Sequence, residues 1–134
     1  MTLVDTNVLL DVVTADPRWE AWSRRRLDDA ALRGPVLIND VVYAEFSVGF
    51  LRIEEVDRVL ATAGVSQSAI PRDALFLAGK VFQRYRRAGG PRTGVLPDFL
   101  IGAHAAVLGV PLLTRDPARF RRWFPGVVLV TPTR

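Results

Sequence analysis

The sequence predicts an α/β fold, a short and mostly parallel central sheet with helices on both faces. Three observations predict it. Short apolar segments alternate along the chain with stretches of helical period. The segments are apolar at consecutive positions, as in Leu3-Val4, Val36-Leu37-Ile38 and Leu112-Leu113, the pattern of strands covered on both sides. The stretches between them are long enough to carry a crossover helix, which parallel neighbours require. A length of 134 residues suits one domain over 1–134 with a sizeable core.

In order, Thr2–Asp5 reads as an apolar strand ending in an acid, and Asn7–Thr14 as a helix with Val8, Leu9, Val12 and Val13 apolar. Asp16-Pro17 reads as a cap and a first-turn proline for a helix running to about Arg33 and closed by Gly34. Pro35–Ile38 is a second strand, and Asn39-Asp40 caps a third helix to about Phe50. Ile53–Ala63 is a fourth helix stopped at Gly64, Val65–Ile70 a weak strand, and Pro71–Ala88 a long helix turning Leu75, Leu77, Ala78, Val81 and Phe82 inward. After the break at Gly89-Gly90-Pro91, Pro97 opens a helix to about Leu108, closed by Gly109. Val110–Leu113, Pro117–Phe124 and Val127–Val130 complete the chain as strand, short helix and strand. Open parallel sheets place their sites at the carboxyl ends of the strands, which points at Asp5 and Asp116.

Composition excludes several chemistries. There is no cysteine, hence no disulfide scaffold, thiolate zinc site, iron–sulfur cluster or thiol nucleophile. The one histidine, His104, excludes a two-histidine metal motif. On the helix His104 lies about 120° around from Asp98, and a structural or surface role is expected for it. The longest uncharged run, Phe99 to Thr114, is sixteen residues with two glycines and a proline, short of the roughly 18–20 apolar residues of a membrane span. Charge arrives at Asp5 with no basic segment before it, unlike a signal peptide. A soluble, cytoplasmic protein is expected, with no membrane partner. Of 18 cations 17 are arginine, against 14 acids. That balance suits a polyanion as much as it suits a bias toward arginine.

Most of the acids have ordinary explanations. Glu20, Asp28, Asp29, Glu54, Glu55 and Asp57 sit near arginines on helices, Asp16 and Asp40 look like caps, and Asp73 falls in a first turn. Asp11 is ambiguous. Four acids remain among apolar neighbours. Asp5 ends Leu3-Val4. Glu45 has Val41, Val42, Val48 and Gly49 at helical spacing. Asp98 is followed by Ile101, Gly102 and Ala105, and Asp116 ends Leu112-Leu113-Thr114. A carboxylate buried alone costs several kcal/mol or takes up a proton. Four of them with no matching buried cation would repel one another, and a divalent cation relieves this. Hard oxygen ligands specify Mg²⁺ or Mn²⁺, a tool for phosphoryl chemistry. With these four set aside, 18 cations face ten acids, a negative pocket on a positive body that suits a phosphate backbone.

These residues resemble a PIN-domain ribonuclease, and more narrowly the VapC-type toxins of bacterial toxin–antitoxin pairs. The resemblance rests on four motifs. They are Val4-Asp5-Thr6-Asn7-Val8-Leu9-Leu10-Asp11, Ala44-Glu45 in the third helix, Pro97-Asp98-Phe99-Leu100-Ile101-Gly102-Ala103, and Leu112-Leu113-Thr114-Arg115-Asp116-Pro117-Ala118-Arg119-Phe120. Their order and spacing agree over the whole chain. The resemblance implies a PIN-like three-layer sandwich whose acidic metal pocket is Asp5, Glu45, Asp98 and Asp116. Asp5 and Asp98 would bind Mg²⁺ or Mn²⁺ directly, Glu45 and Asp116 would complete the shell or hold a second ion, and Thr6, Asn7 and Thr114 would support it. The implied reaction is endonucleolytic cleavage of RNA by an activated water. A homodimer and a VapB-type antitoxin partner are implied as well.

Arg115, Arg87 and Arg92 are the candidates for RNA phosphate contact, although Arg84, Arg86, Arg87 and Arg92 also suit a solvated face. Trp19, Trp22 and Phe76 are expected as core or interface anchors. Two alternatives come from other classes. One is a non-catalytic module whose acidic pocket docks a basic peptide. The other is a phosphohydrolase or receiver domain using Asp5 as nucleophile or phosphoacceptor. A haloacid-dehalogenase type wants a second acid where Asn7 stands, and both phosphoryl types want a lysine near a later strand end, whereas Lys80 lies inside a long helix before the later motifs.

Overall fold

A computed structural model describes residues 1–92 and 94–132. The chain runs β1 (Thr2–Val4), α1 (Thr6–Val13), α2 (Glu20–Arg33), β2 (Val36–Ile38), α3 (Asp40–Ser47), α4 (Ile53–Thr62), β3 (Val65–Gln67), α5 (Arg72–Arg87), α6 (Leu96–Leu108), β4 (Leu112–Leu113), α7 (Ala118–Trp123) and β5 (Leu129–Val130). Among the described residues five strands form one sheet in the order β3-β2-β1-β4-β5, and each pairing is parallel. The expected fold class therefore holds.

The sheet grows from β1 to β2 to β3, then the chain returns past β1 to add β4 and β5 on the other side. Right-handed crossovers then put α1–α4 against one face and α5–α7 against the other. α1 touches α2 and α3, and α3 touches α4, while α6 packs on α5 and α7 and also reaches α3. β1 and β4 are neighbours from different halves of the chain, with Leu3 opposite Leu112 and Val4 opposite Leu113. The strand order reverses there, so a crevice opens beyond their carboxyl ends.

The core is built from the consecutive apolar residues of the strands, Leu3, Val4, Ile38, Leu112 and Leu113, with Val8, Val42, Phe46, Phe99, Ile101 and Phe120 from the helices, all fully or almost fully buried. On the α5–α7 side the aromatic rings interlock: Tyr85 stands edge-on to Phe99 at 5.4 Å and to Trp123 at 5.5 Å between ring centroids. Gly102 permits the close approach of α6 to the chain after α7. A Cβ there would lie 2.5 Å from the Phe124 ring. Gly109 ends α6 in the left-handed conformation at φ +67°, which glycine adopts without penalty.

The structure corrects several local expectations. α2 begins at Glu20 rather than Pro17, because the Asp16 carboxylate binds the backbone N–H groups of Arg18 and Trp19 at 2.9 Å and holds 17–19 as a separate turn. Asn39, not Asp40, caps α3 by accepting from the Val42 N–H. Asp40 instead accepts from Gln67 Nε2. That helix stops at Ser47, short of Phe50. The stripe α5 buries is Ala74, Ala78 and Val81. Leu75 is 47% exposed and Phe76 68%, so neither belongs to the core. His104 is fully buried in α6, and neither of its ring nitrogens meets a hydrogen-bond partner among the described residues. Burial lowers its pKa, opposed by the Asp40 charge, and keeps the ring neutral.

Candidate active site

Asp5 is the first residue beyond β1 and the N-cap of α1, where one Oδ accepts from the Thr6 N–H at 2.8 Å. A capping aspartate satisfies an otherwise orphaned donor, so α1 itself orients this carboxylate. Its other oxygen faces β4 and accepts the Thr114 hydroxyl at 2.8 Å and Asn7 Nδ2 at 3.3 Å. The Thr114 hydroxyl is also an acceptor, for the Asp116 N–H at 3.1 Å and Asn7 Nδ2 at 3.4 Å. Asn7 Oδ1 in turn accepts the Arg115 N–H at 3.4 Å. Thr6, Asn7 and Thr114 thus lock the Asp5 carboxylate to both sides of the crevice.

Asp5 is 5% exposed and meets no cation among the described residues. Burial pushes its pKa from 3.8 up to about 6. The Thr114 and Thr6 hydrogen bonds oppose the rise, and the negative charges of Asp98 and Glu45 add to it. Asp5 therefore lies within electrostatic reach of both Asp98 and Glu45.

Glu45 reaches the site through Thr6, whose hydroxyl donates to Glu45 Oε1 at 2.6 Å. The expectation that Glu45 lies within the buried stripe is corrected. Val42 and Phe46 carry the buried face of α3, Glu45 is exposed, and its apolar neighbour Val48 is 86% exposed. Asp98 is half-buried in the first turn of α6. Burial raises its pKa, the Arg119 hydrogen bond and charge lower it, and the Asp116 charge raises it again. Arg119 Nη1 donates to Asp98 Oδ2 at 2.5 Å, so the expectation of no matching cation is corrected for this residue. Asp116 is exposed. It shares with Asp98 a cavity of about 440 Å³ walled by Tyr85, Arg119, Arg122 and Trp123.

The four sequence-selected acids therefore come together as two couples, Asp5 with Glu45 through Thr6, and Asp98 with Asp116 across the cavity. Among the described residues no three acid or histidine side chains stand close enough to hold a metal ion as they are placed. The donor set is nevertheless the one a hard cation takes, oxygen ligands with no nitrogen or sulfur. The buried, cation-free Asp5 is the carboxylate that such an ion would relieve.

The arginines divide. Arg115 donates through Nε to Asp11 Oδ2 at 2.8 Å, and Asp11, 2% exposed, also accepts the Ser23 hydroxyl at 2.7 Å. This resolves the ambiguous Asp11 as a buried anchor for the β4–α7 loop. The guanidinium of Arg115 also lies over the Trp19 ring, 5.5 Å from its centroid. Arg87 and Arg92 line a cavity of about 710 Å³ with Phe82, Arg86 and Pro97, separate from the one that Asp98 and Asp116 line. Sequence reasoning missed the pairing of Arg119 with Asp98. Arg119 is one of four arginines between 115 and 122, and no local pattern separates it from the others.

The sequence matches the PIN domain family over residues 2–123. The chain belongs to the PIN-domain family. Solved structures with the same fold include VapBC2 from Rickettsia felis bound to a promoter DNA fragment, at 19% identity and a TM-score of 0.76, covering 98% of each chain. VapBC-1 from nontypeable Haemophilus influenzae is similar at 17% identity and a TM-score of 0.71, over 97% of this chain and 96% of that one. A toxin–antitoxin complex from Klebsiella pneumoniae is 26% identical with a TM-score of 0.65, over 100% of this chain and 99% of that one. No curated protein matches the sequence. In this PIN domain Asp5 stands directly beyond β1, at the switch point between β1 and β4. No helix among the described residues is long and apolar enough to cross a membrane.

Proposed function

We propose that this PIN domain is a Mg²⁺- or Mn²⁺-dependent endoribonuclease and the toxin of a VapBC-type pair. PIN domains are nucleases, and the observation that carries the metal reading is Asp5. It is a buried carboxylate at the switch point, fixed by three hydrogen bonds, facing two further acids and, among the described residues, no cation. Asp5 and Asp98 would hold the ion, with Glu45 and Asp116 completing its shell. When bound, such an ion polarises a phosphoryl oxygen and lowers the pKa of water beside it.

The chain's own residues do the rest. Thr6, Asn7 and Thr114 keep the Asp5 carboxylate aimed into the crevice, so little reorganisation remains when the charge arrives. Thr6 also holds Glu45, an exposed carboxylate, at the edge of the crevice. Arg115, its guanidinium fixed by Asp11, stands next to Asp116 as a phosphate contact, and Arg87 and Arg92 extend the basic surface past Pro97.

The solved relatives are described as toxin–antitoxin complexes, which supports a VapB-type antitoxin as the partner of this chain. A homodimer in the cytoplasm completes the proposal. One observation favours a second reading, an acidic docking site for a basic peptide: Asp98 already accepts a guanidinium.

Cleavage decides between the two. Purified protein is incubated with a mixture of structured RNAs and with Mg²⁺, Mn²⁺ or EDTA, beside Asp5→Asn and Asp98→Asn. Metal-dependent cutting by the native protein, lost in both folded variants, supports the nuclease. No cutting under any metal, or full activity in Asp98→Asn, overturns the site as assigned.

A further inference from the structure

The cavity that carries Asp98 and Asp116 already holds a cation of its own. Arg119 projects from α7, and its contact with Asp98 at 2.5 Å is the shortest ion pair among the described residues. The two side chains are 41% and 31% exposed. Arg122 lines the same cavity but turns its guanidinium over the Trp123 ring, 5.0 Å from the centroid, and pairs with no acid among the described residues. Two arginines on one short helix thus occupy one cavity, and one of them is seated on a proposed metal ligand.

This seat has consequences that rest on the metal reading above. A divalent cation on Asp98 and a guanidinium on the same carboxylate compete for its charge and, at Oδ2, for its lone pairs. An ion pair this exposed is weak and exchangeable, since solvent screens most of its attraction. The displaced group is a planar fork suited to phosphate oxygens, and it would be released at the mouth of the pocket where an RNA backbone must pass.

We propose that Arg119 is the resident counter-ion of the pocket: it compensates Asp98 in the metal-free protein, yields that carboxylate to the divalent cation, and turns to an RNA phosphate beside it. Metal and RNA then bind with positive coupling through one side chain, and each strengthens the other by the same factor. Arg119 is a positioning residue in the metal-free state and a substrate contact in the loaded one.

The test separates metal binding from turnover. Mn²⁺ alone is titrated calorimetrically into the native protein, Arg119→Gln and Arg122→Gln, each checked for native circular dichroism. Arg119→Gln is expected to bind Mn²⁺ about two- to fivefold tighter than the native protein, the range set by the worth of a half-exposed pair. Arg122→Gln should change affinity by less than about twofold, because it gives up no carboxylate. Binding of a hydrolysis-resistant phosphorothioate oligoribonucleotide is then followed by anisotropy in Mn²⁺ and in EDTA. The gain on adding Mn²⁺ should shrink at least about threefold in Arg119→Gln and persist in Arg122→Gln.

Unchanged or weaker Mn²⁺ affinity in Arg119→Gln overturns the proposal, as does an undiminished gain in RNA binding. If Mn²⁺ binds none of the three proteins, the metal reading itself fails and this proposal fails with it. If Mn²⁺ binds all three equally, the metal reading stands and only the role of Arg119 falls.

Discussion

The Thr114 hydroxyl donates to the Asp5 carboxylate at 2.8 Å, joining residues 109 positions apart. It joins them because β1 and β4 are hydrogen-bonded neighbours, with the Asp5 N–H donating to Leu113 O at 2.9 Å. The same hydroxyl accepts from the Asp116 N–H, so one side chain ties the acid after β1 to the loop that carries the acid after β4. Thr114→Val removes the donor and leaves a buried carboxylate and a backbone N–H short of a partner, a loss of about 1–3 kcal/mol each at most. The expected outcome is a lower Tm together with a cleavage rate reduced more than about tenfold, both largely restored by Thr114→Ser. Native stability in Thr114→Val would show that the bond contributes nothing.

Asp5 makes stability depend on pH in a direction opposite to most acids. Its folded pKa is about 6 against 3.8, so between those values the folded protein binds more protons than the unfolded chain, and stability falls as pH rises through the window. At pH 7 without metal the charged, buried group costs about 3 kcal/mol relative to pH below 4, at 1.36 kcal/mol per pKa unit. Asp5→Asn should therefore be more stable than the native protein in EDTA at pH 7, by about 1–3 kcal/mol. The advantage should shrink toward pH 4. Denaturant melts at both pH values measure it, and an Asp5→Asn that is equally destabilised at pH 4 and 7 contradicts it. Mn²⁺ should raise the Tm of the native protein and leave that of Asp5→Asn nearly unchanged, because a ligand stabilises only the state it binds.

Arg115→Ala and Asp11→Asn should differ in severity although they break the same pair. Removing Arg115 strands a carboxylate that is 2% exposed with only Ser23 as partner, which costs about 3 kcal/mol or more. Asp11→Asn removes the charge together with its partner's need for it, because Arg115 is 27% exposed and water can reach it. It should cost about 1 kcal/mol. Equal losses in chemical denaturation would mean that burial of Asp11 does not set the cost.

Gly102→Ala sets helix propensity against packing. In an open helix the change would stabilise by roughly 0.5–1 kcal/mol. Here the new Cβ meets the Phe124 ring at 2.5 Å, and Phe124 is 5% exposed and packed edge-on against Phe99. Overpacking of this kind costs about 1–3 kcal/mol, so a net loss is expected. Because Gly102 lies one turn beyond Asp98 on α6, displacement of the helix should also lower cleavage. A more stable Gly102→Ala would show that propensity wins.

Local pattern was sufficient for the elements. Among the described residues the five strands and seven helices follow the expected order, with their ends shifted at α2 and α3, because apolar runs, caps and glycines act within a few residues of where they are written. Misreadings were also local. Asp16 and Pro17 resemble a helix start, but the Asp16 carboxylate is used up by the turn at Arg18 and Trp19. Glu45 has apolar neighbours at helical spacing, yet Val48 and the following Leu51 and Ile53 are 86%, 98% and 62% exposed. Periodicity marks which residues share a face; it does not mark which face is covered.

From the sequence alone came the fold class, the order of its elements, the exclusion of thiol and two-histidine chemistry, and the four acids that resist an ordinary explanation. Residue identity and short-range spacing carry all of these. The tertiary structure decided that β1 and β4 adjoin, so that Asp5 and Thr114 meet at the switch point of the sheet. It decided that Asp5 is the one buried, cation-free member of the four, that Asp11 anchors Arg115, and that Arg119 rather than any of its neighbouring arginines sits on Asp98. Burial and charge pairing depend on which distant segments pack together, and that is settled by the strand order and not by any residue's neighbours in the chain.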